Sequence, residues 1–445
     1  MRRYKNLSVK KVDISVSEKI AAETGIAPIV AKILYTRGVR TKEEALGFLD
    51  VERLSFHSPF LMKDMDKAVE RIKKALEKKE RICIYGDYDV DGVTATTALY
   101  KYLIKKGANC SYFIPERITE GYGLNKEAIK NLASSNDLLI TVDTGITAVE
   151  EIELANSLGM DVVVTDHHSC RPTLPNAVAV INPHREDCPY PFEMLAGVGV
   201  VFKLLCALED DENTEMILDE YSDIVAIGTI ADVMPMVDEN RLIVKHGISR
   251  LSKTKNIGLR TLMKNSGIIC GETVVKKINT TTVGFVIAPR INAAGRIASA
   301  TLAAELLLAN TEAEAEEISE RLCDINRMRQ DTEKQIFDEA VLMTLEGEYM
   351  NDSVLVLANE GWHQGVIGVV ASKITERFGR PSILISLDGE IGKGSGRSVT
   401  GFNLTDALTA CSTELLEYGG HELAAGLSVS TEKLDEFRKK INEYA

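Results

Sequence analysis

Short apolar runs and amphipathic stretches alternate along most of the chain. Apolar residues dominate 81–85, 108–114, 138–142, 161–165 and 178–181, while 93–105, 125–133 and 147–158 carry apolar positions at helical spacing. Brief runs that are apolar throughout read as strands buried on both faces, and helices between them predict a mostly parallel sheet covered on both sides. A second alternation follows residue 350, with strands over 353–357 and 382–386, a helix over 365–378, and a glycine-rich 392–398 expected to turn at a sheet edge. Between the two patterns, 303–346 contains no Pro or Gly and places Ile318, Leu322 and Ile325 at helical spacing. That stretch predicts long helices able to bridge two domains. The first 64 residues look helical and carry little chemistry. The expected fold class is therefore α/β: two α/β domains, one with a parallel sheet and one smaller, joined by long helices.

Charge changes this picture locally. The 445 residues carry 52 basic and 66 acidic side chains, a net charge of −14, so uniform attraction to a polyanion is excluded. The segment 245–296 runs against that balance. It holds Lys245, Arg250, Lys253, Lys255, Arg260, Lys264, Lys276, Lys277, Arg290 and Arg296, with Glu272 its one acid. The next stretch, 305–352, is strongly acidic. The sign contrast predicts a polyanion-facing surface over 245–296. The eight cysteines are scattered without a C-x-x-C pair, which fits a reducing cytoplasm rather than a disulfide framework or a zinc ribbon. No apolar run reaches the roughly 18 residues needed to span a bilayer.

Acidic residues stand where the predicted strands end. The first runs into Asp87, Asp89 and Asp91, the third into Asp143, the fourth into Asp166, His167 and His168, and an apolar run over 224–230 ends near Asp232. Ligands of open α/β sheets bind outside the carboxyl ends of the strands. So many carboxylates in one crevice would repel each other and stay partly protonated unless cations sat among them. Two divalent metals resolve the repulsion and suit hydrolysis. Oxygen ligands with an imidazole or two point to Mn²⁺ or Mg²⁺. A calcium loop is excluded, because it needs a Glu six residues after Gly92 and the chain has Ala98 there.

The motifs YGDYDVDG (85–92), DTG (143–145), DHH (166–168) and GTIADVMP (228–235), in this order, resemble the DHH phosphoesterases. Further segments resemble the branch of that family that degrades single-stranded DNA from its 5′ end. They are Pro115-Glu116-Arg117, 120–124, Asn182-Pro183-His184, LAGVG (195–199), PRINAAGR (289–296), GWHQGVIG (361–368), GSGRS (394–398) and GGH (419–421). The resemblance covers about residue 20 to 430. It implies a helical extension over 1–64, a DHH catalytic domain over 65–300, linking helices over 301–346 and a DHH-associated, substrate-binding domain over 347–445. It implies Asp89, Asp91, Asp143, His167 and Asp232 as metal ligands, Asp143 bridging two ions and Asp87 adding a ligand. His168 becomes a ligand or a hydrogen-bond donor near the scissile phosphate, and Asp166 orients His167. In the second domain, Ser395 and Arg397 are expected in a glycine-rich loop whose backbone N–H groups suit phosphate. Arg117, Arg290 and Arg296 would line the nucleotide path or its 5′ end, with His363 and His421 as phosphate or leaving-group contacts. The implied activity is two-metal hydrolysis of single-stranded DNA carrying a free 5′ end, releasing 5′-mononucleotides in the cytoplasm during DNA repair and recombination. A single-strand-binding protein or a helicase would be a further partner. The alternative is a phosphodiesterase of short oligonucleotides or cyclic dinucleotides; a non-catalytic relative is disfavoured because every ligand position is filled. Relatives of this branch usually continue into an oligonucleotide-binding barrel and a further domain, whereas this sequence stops at Ala445, so processivity and affinity for long single strands are where a departure is expected.

Overall fold

The structure, a computed structural model, describes residues 10–117, 121 and 123–445. These divide into two compact units, one of 10–113, 123–255 and 274–288, the other of 114–117, 121, 256–273 and 289–445. No helix among the described residues is long and apolar enough to cross a membrane.

The first unit opens with α1 (Ile14–Thr24), α2 (Pro28–Thr36) and α3 (Lys42–Leu49), packed around Ile20, Ala31, Leu34 and Ala45. After α4 (Met65–Lys78) come the strands β1 (Arg81–Gly86), β2 (Asn109–Phe113), β3 (Leu138–Val142), β4 (Asp161–Thr165) and β5 (Ala179–Ile181). All pair in parallel, in the order β2-β1-β3-β4-β5. The crossovers are α5 (Val90–Lys105), α6 (Lys126–Ala133) and α7 (Val149–Ser157). Alternate residues serve opposite faces, as the pleat requires. Ile82, Ile84 and Ile140 join a core with α4, α5 and the wholly buried α8 (Gly197–Leu208), whereas Cys83, Tyr85 and Leu139 join a core with α6 and α7. Strand order reverses between β1 and β3, the place where an open parallel sheet leaves a crevice at its carboxyl edge.

α9 (Thr214–Ala231) and α10 (Asp238–Leu251) complete the scaffold under that edge. Lys203 of α8 and Glu239 of α10 form a fully buried ion pair at 2.9 Å. The Lys203 ammonium also donates to the His57 carbonyl, and Glu239 accepts from the Tyr190 hydroxyl and from the His57 N–H. Asn240, next in α10, donates to the carbonyls of Met194 and Pro235. These bonds tie the loop entering α8 to the loop that follows Asp232.

In the second unit α11 (Ile257–Asn265) precedes the two-residue strands β6 (Ile269–Cys270) and β7 (Thr273–Val274), the latter ending in the first unit. The single turn α12 (Thr280–Thr282) and a π-turn (Val283–Ile287) belong to the first unit, and α13 (Ala288–Ile297) carries the chain into the second. Over 303–346 the chain forms α14 (Thr301–Leu308) and the 35-residue α15 (Glu312–Glu346), which packs on α11, α14 and α16 (Gln364–Phe378). The second sheet has the order β11-β12-β10-β9-β8, built from β8 (Leu355–Asn359), β9 (Ser382–Asp388), β10 (Ile391–Arg397), β11 (Leu415–His421) and β12 (Ala424–Ser430). Only β8 and β9 pair in parallel. α16 and α15 cover one face, and α17 (Leu404–Ala410) with α18 (Leu434–Tyr444) covers the other.

The glycine-rich 392–398 departs from expectation. It is the central strand β10, hydrogen-bonded to β9 and β12 along its length, not a turn at an edge. Glycine is needed because neighbours fill the space a side chain would take. A Cβ at Gly394 would lie 2.9 Å from Leu427 Cδ1, and one at Gly396 would lie 2.7 Å from Leu404 Cδ2.

Removing one partner of a buried pair strands the other charge. Lys203→Met should therefore lower unfolding stability by about 3–5 kcal/mol in urea melts, and a loss under about 1 kcal/mol would contradict the assignment.

Candidate metal centre and phosphate-facing surface

The carboxyl ends of β1, β3 and β4 deliver the acidic motifs to one place. Asp87 and Asp89 follow β1, and Asp89 is the N-cap of α5, accepting through Oδ1 from the N–H groups of Asp91 (2.8 Å) and Gly92 (3.0 Å). That bond uses one oxygen and fixes the direction of the other. Asp143 follows β3 with a left-handed φ of 60°, its N–H bonded to the Thr165 carbonyl at 3.0 Å. This turn swings the carboxylate back over the sheet edge, a conformation Asp tolerates better than most residues. Asp232 follows the last turn of α9.

Three overlapping groups place one ligand atom per residue within 4.8 Å of one another: Asp87, Asp89 and Asp143; Asp91, His167 and Asp232; Asp143, His167 and His168. His167 Nε2 stands 3.1 Å from Asp143 Oδ1, 3.7 Å from Asp232 Oδ2 and 3.8 Å from Asp91 Oδ2. Every residue expected as a metal ligand is thus in one cluster. Asp143 and His167 each belong to two of the groups.

Electrostatics show the strain of that crowding. Burial, then the Asp89 charge, pushes Asp91 up to about 7 despite two backbone hydrogen bonds. Burial and the Asp91 charge push Asp232 up to about 7 as well. Asp143 is raised well above the carboxylate range, first by burial and then by Asp91, Asp89, Asp87 and Asp166. Its Oδ1 is buried and accepts no hydrogen bond among the described residues. Burial, with the neighbouring His168, holds His167 below the usual imidazole value, so the ring stays neutral, the form that ligates. Carboxylate oxygens with a neutral imidazole suit a hard divalent cation, so the residues fit Mn²⁺ or Mg²⁺.

Asp166 sits behind this cluster and corrects one expectation. Its carboxylate engages the ring of His168, with Nδ1 at 2.7 Å, rather than the ring of His167. His167 reaches it only through its backbone N–H, and the Ile146 and His168 N–H groups also donate to it. Burial opposes its ionisation, but the His168 hydrogen bond and charge and the backbone donors outweigh it and keep Asp166 below the usual value. Burial would lower His168, yet the Asp166 hydrogen bond and charge raise it to about 9, so it carries a proton at neutral pH.

Sequence reasoning missed the amino end of α8. The N–H groups of Gly197 (2.6 Å to Oδ2) and Val198 (2.9 Å to Oδ1) hold the two oxygens of Asp91. A helix amino end is a ready anion site, and here the anion is a side chain of the cluster. A Cβ at Gly197 would lie 2.5 Å from Asp143 Oδ1. The signal was present in LAGVG (195–199), whose glycines carried no assigned role.

In the second unit, the remaining candidates gather near the start of α16. His363 is its N-cap, Nδ1 accepting from the Gly365 N–H at 3.1 Å, and burial lowers the pKa of this imidazole. Arg296 Nη1 lies 3.3 Å from the Gly365 carbonyl. Ser395 and Arg397 point from β10 toward α16: a Cβ at Gly368 would lie 2.9 Å from Ser395 Oγ and 3.4 Å from Arg397 Nη2. Their backbone is engaged in the sheet, so the expected phosphate-binding loop of free N–H groups is absent there, and only the side chains can meet a ligand. Arg397 Nη1 donates to Ser395 Oγ at 3.2 Å. Burial, then the nearby Arg117 charge, lowers the Arg397 pKa. Register puts Arg397, Ala424 and His421 abreast across three strands, with Ser395, Gly426 and Gly419 beside them. The two glycines leave the sheet bare next to Ser395. Arg290 is half-buried on α13. Of the segment 120–124, Glu120 and Tyr122 lie outside the described residues. The basic segment 245–296 is divided between the two units, and Lys245, Arg250 and Arg260 pair with Glu52, Asp219 and Glu272.

Two predictions follow from this geometry. Gly197→Ala should weaken Mn²⁺ binding by about tenfold or more while far-UV circular dichroism stays unchanged, since it displaces Asp143 from behind; unaltered affinity would contradict the packing argument. With Asp91 and Asp232 both near 7, they hold protons below that pH and are bare above it. Mn²⁺ must displace those protons, so affinity measured by calorimetry should fall as pH drops from about 8 to about 6, with proton release on binding. A flat profile would contradict the raised carboxyls.

Comparison with known proteins agrees with this architecture. Residues 81–229 match the DHH family, N-terminal domain, and residues 351–445 match the DHHA1 domain. The chain is 43% identical over 440 residues to the single-stranded-DNA-specific exonuclease RecJ of Bacillus subtilis, covering 98% of this chain and 55% of that protein. It therefore spans about half the length of that relative. It is 35% identical over 463 residues to RecJ of Escherichia coli, covering 98% of this chain and 78% of the other. A crystal structure of RecJ from Thermus thermophilus in complex with Mn²⁺ superposes with a TM-score of 0.83 at 33% identity, covering 97% of this chain and 61% of that one. With two domain matches in order and identity at this level over 98% of this chain, the chain belongs to the RecJ branch of the DHH family.

Proposed function

We propose that the protein hydrolyses single-stranded DNA from a free 5′ end, releasing 5′-mononucleotides with two Mn²⁺ or Mg²⁺ ions. The observation that carries the reading is the pair of three-residue ligand groups, Asp87–Asp89–Asp143 and Asp91–His167–Asp232, with Asp143 at 3.1 Å from His167. On this reading Asp87, Asp89 and Asp143 would hold one ion and Asp91, His167 and Asp232 the other, with Asp143 available to both. Bound there, the ions would supply an activated water and would stabilise the charge of the departing oxygen. The chain's own residues do the rest. Asp91 is held immobile by the α8 amino end, so the ligands need no rearrangement. Protonated His168, oriented by Asp166, donates a hydrogen bond to a phosphate oxygen.

In the second unit, Ser395, Arg397, Arg117 and Arg296 hold substrate phosphates, with Arg290, His363 and His421 as further contacts. Arg397, partly buried and close to the Arg117 charge, gains from an anion between the two guanidiniums. Its single strands would be supplied by a helicase or kept apart by a single-strand-binding protein, either of which would be a partner. The eight cysteines are all free, consistent with a reducing cytoplasm.

The test is digestion of a labelled single-stranded oligonucleotide in Mn²⁺. Mononucleotides should leave from the 5′ end, and Arg397→Ala should raise KM about tenfold or more with Mn²⁺ affinity unchanged. Cleavage of di- to pentanucleotides alone, or digestion from a free 3′ end, would contradict the reading.

A further inference from the structure

α9 closes with the paired bonds of a left-handed helix terminus. The Met234 N–H donates to the Thr229 carbonyl at 3.3 Å, and the Val233 N–H to the Ile230 carbonyl at 3.1 Å. The closure requires a residue with positive φ just after Asp232, a place where glycine or asparagine is usual. α1 and α16 also end on a left-handed residue, Gly25 (φ 74°) and Gly379 (φ 66°), each closed by a single bond to the carbonyl four residues back. At the end of α9 the position is filled by Val233, with φ 60°. A β-branched side chain is disfavoured there more than almost any other. Packing does not compensate for it, because Val233 is 85% exposed.

The strained residue adjoins the cluster. The side chain of Asp232, its immediate neighbour, is 28% exposed and has Oδ2 3.7 Å from His167 Nε2. A second exposed apolar group stands on the element packed against the end of α9. The π-turn packs on the end of α9, where a Cβ at Gly284 would lie 3.7 Å from Ile230 Cγ2, and the turn exposes 79% of Phe285. Around the cluster, acidic side chains would repel extra phosphates, while an isopropyl group gains from being covered by the C–H edge of a sugar or the face of a base.

We infer that Val233 is a substrate-contact residue: it forms an apolar wall against the nucleoside whose phosphate lies on the carboxylate–imidazole cluster. The inference rests on the proposed hydrolysis of single-stranded DNA. The strained backbone keeps the side chain on the rim, where glycine would close the helix with less strain and leave the nucleoside unsupported.

The experiment compares wild type with Val233→Gly, Val233→Asn and Val233→Ile. Gly and Asn tolerate the backbone angle, so neither variant depends on an accommodating fold, and Ile preserves the apolar wall. Three quantities are read: the thermal midpoint, Mn²⁺ affinity by calorimetry, and KM for a 5′-phosphorylated single-stranded oligonucleotide. The Gly and Asn variants should melt no lower than wild type and bind Mn²⁺ equally well, yet raise KM roughly three- to tenfold, while the Ile variant keeps the wild-type KM. A wild-type KM in the Gly and Asn variants, or a loss of Mn²⁺ affinity that accounts for the rise, overturns the inference and leaves the proposed activity standing. A wild-type protein that leaves the oligonucleotide uncut overturns both.

Discussion

Mutual repulsion among buried carboxylates is the constraint around which the first unit is built. Asp91 and Asp143 are almost wholly buried, Asp232 lies against them, and each is displaced upward from the ordinary carboxylate range. A fold that wanted only stability would replace such groups with apolar ones. Here the scaffold instead fixes them from behind. The α8 amino end holds Asp91, the α5 amino end holds Asp89, and the turn after β3 holds Asp143 at positive φ. Each device orients an oxygen toward the cluster without neutralising it, which leaves neutralisation to cations.

The parallel sheet was legible because its inner strands β1, β3 and β4 are apolar on both faces. β3 and β4 have the bounds that the apolar runs at 138–142 and 161–165 predict. The carboxylate cluster was legible for a related reason: strand ends in an open sheet share one edge, so the acidic motifs at the ends of β1, β3 and β4 must meet, and Asp232 joins them from the end of α9. What stayed hidden depends on tertiary packing. β10 reads as a loop, since glycine at 392, 394 and 396 is the usual mark of a turn. Its glycines answer instead to Leu427 of β12 and to Leu404 of α17, contacts that only the folded chain makes. The choice of Asp166 partner was equally hidden. His167 and His168 are adjacent, and only the direction in which the chain leaves β4 decides which ring turns back to the carboxylate.

The acidic character of the chain sharpens the role of its local cations. Burial, then the Arg117 charge beside it, lowers the Arg397 pKa, in a protein with net charge −14. Beside them, Gly419 and Gly426 leave open the sheet face that Ser395 shares. The basic tract at 245–296 contributes less than its composition suggests, because three of its cations already have acidic partners. Placement, rather than the sum of charge, distinguishes a surface that can meet a phosphate from one that is merely solvated.

Anomalous diffraction at the manganese edge, from crystals grown with Mn²⁺, addresses the central claim directly. Two peaks are expected, one among Asp87, Asp89 and Asp143 and one among Asp91, His167 and Asp232, with Asp143 within reach of both. Carboxylates that remain paired only with protons, or manganese bound away from these residues, would contradict it.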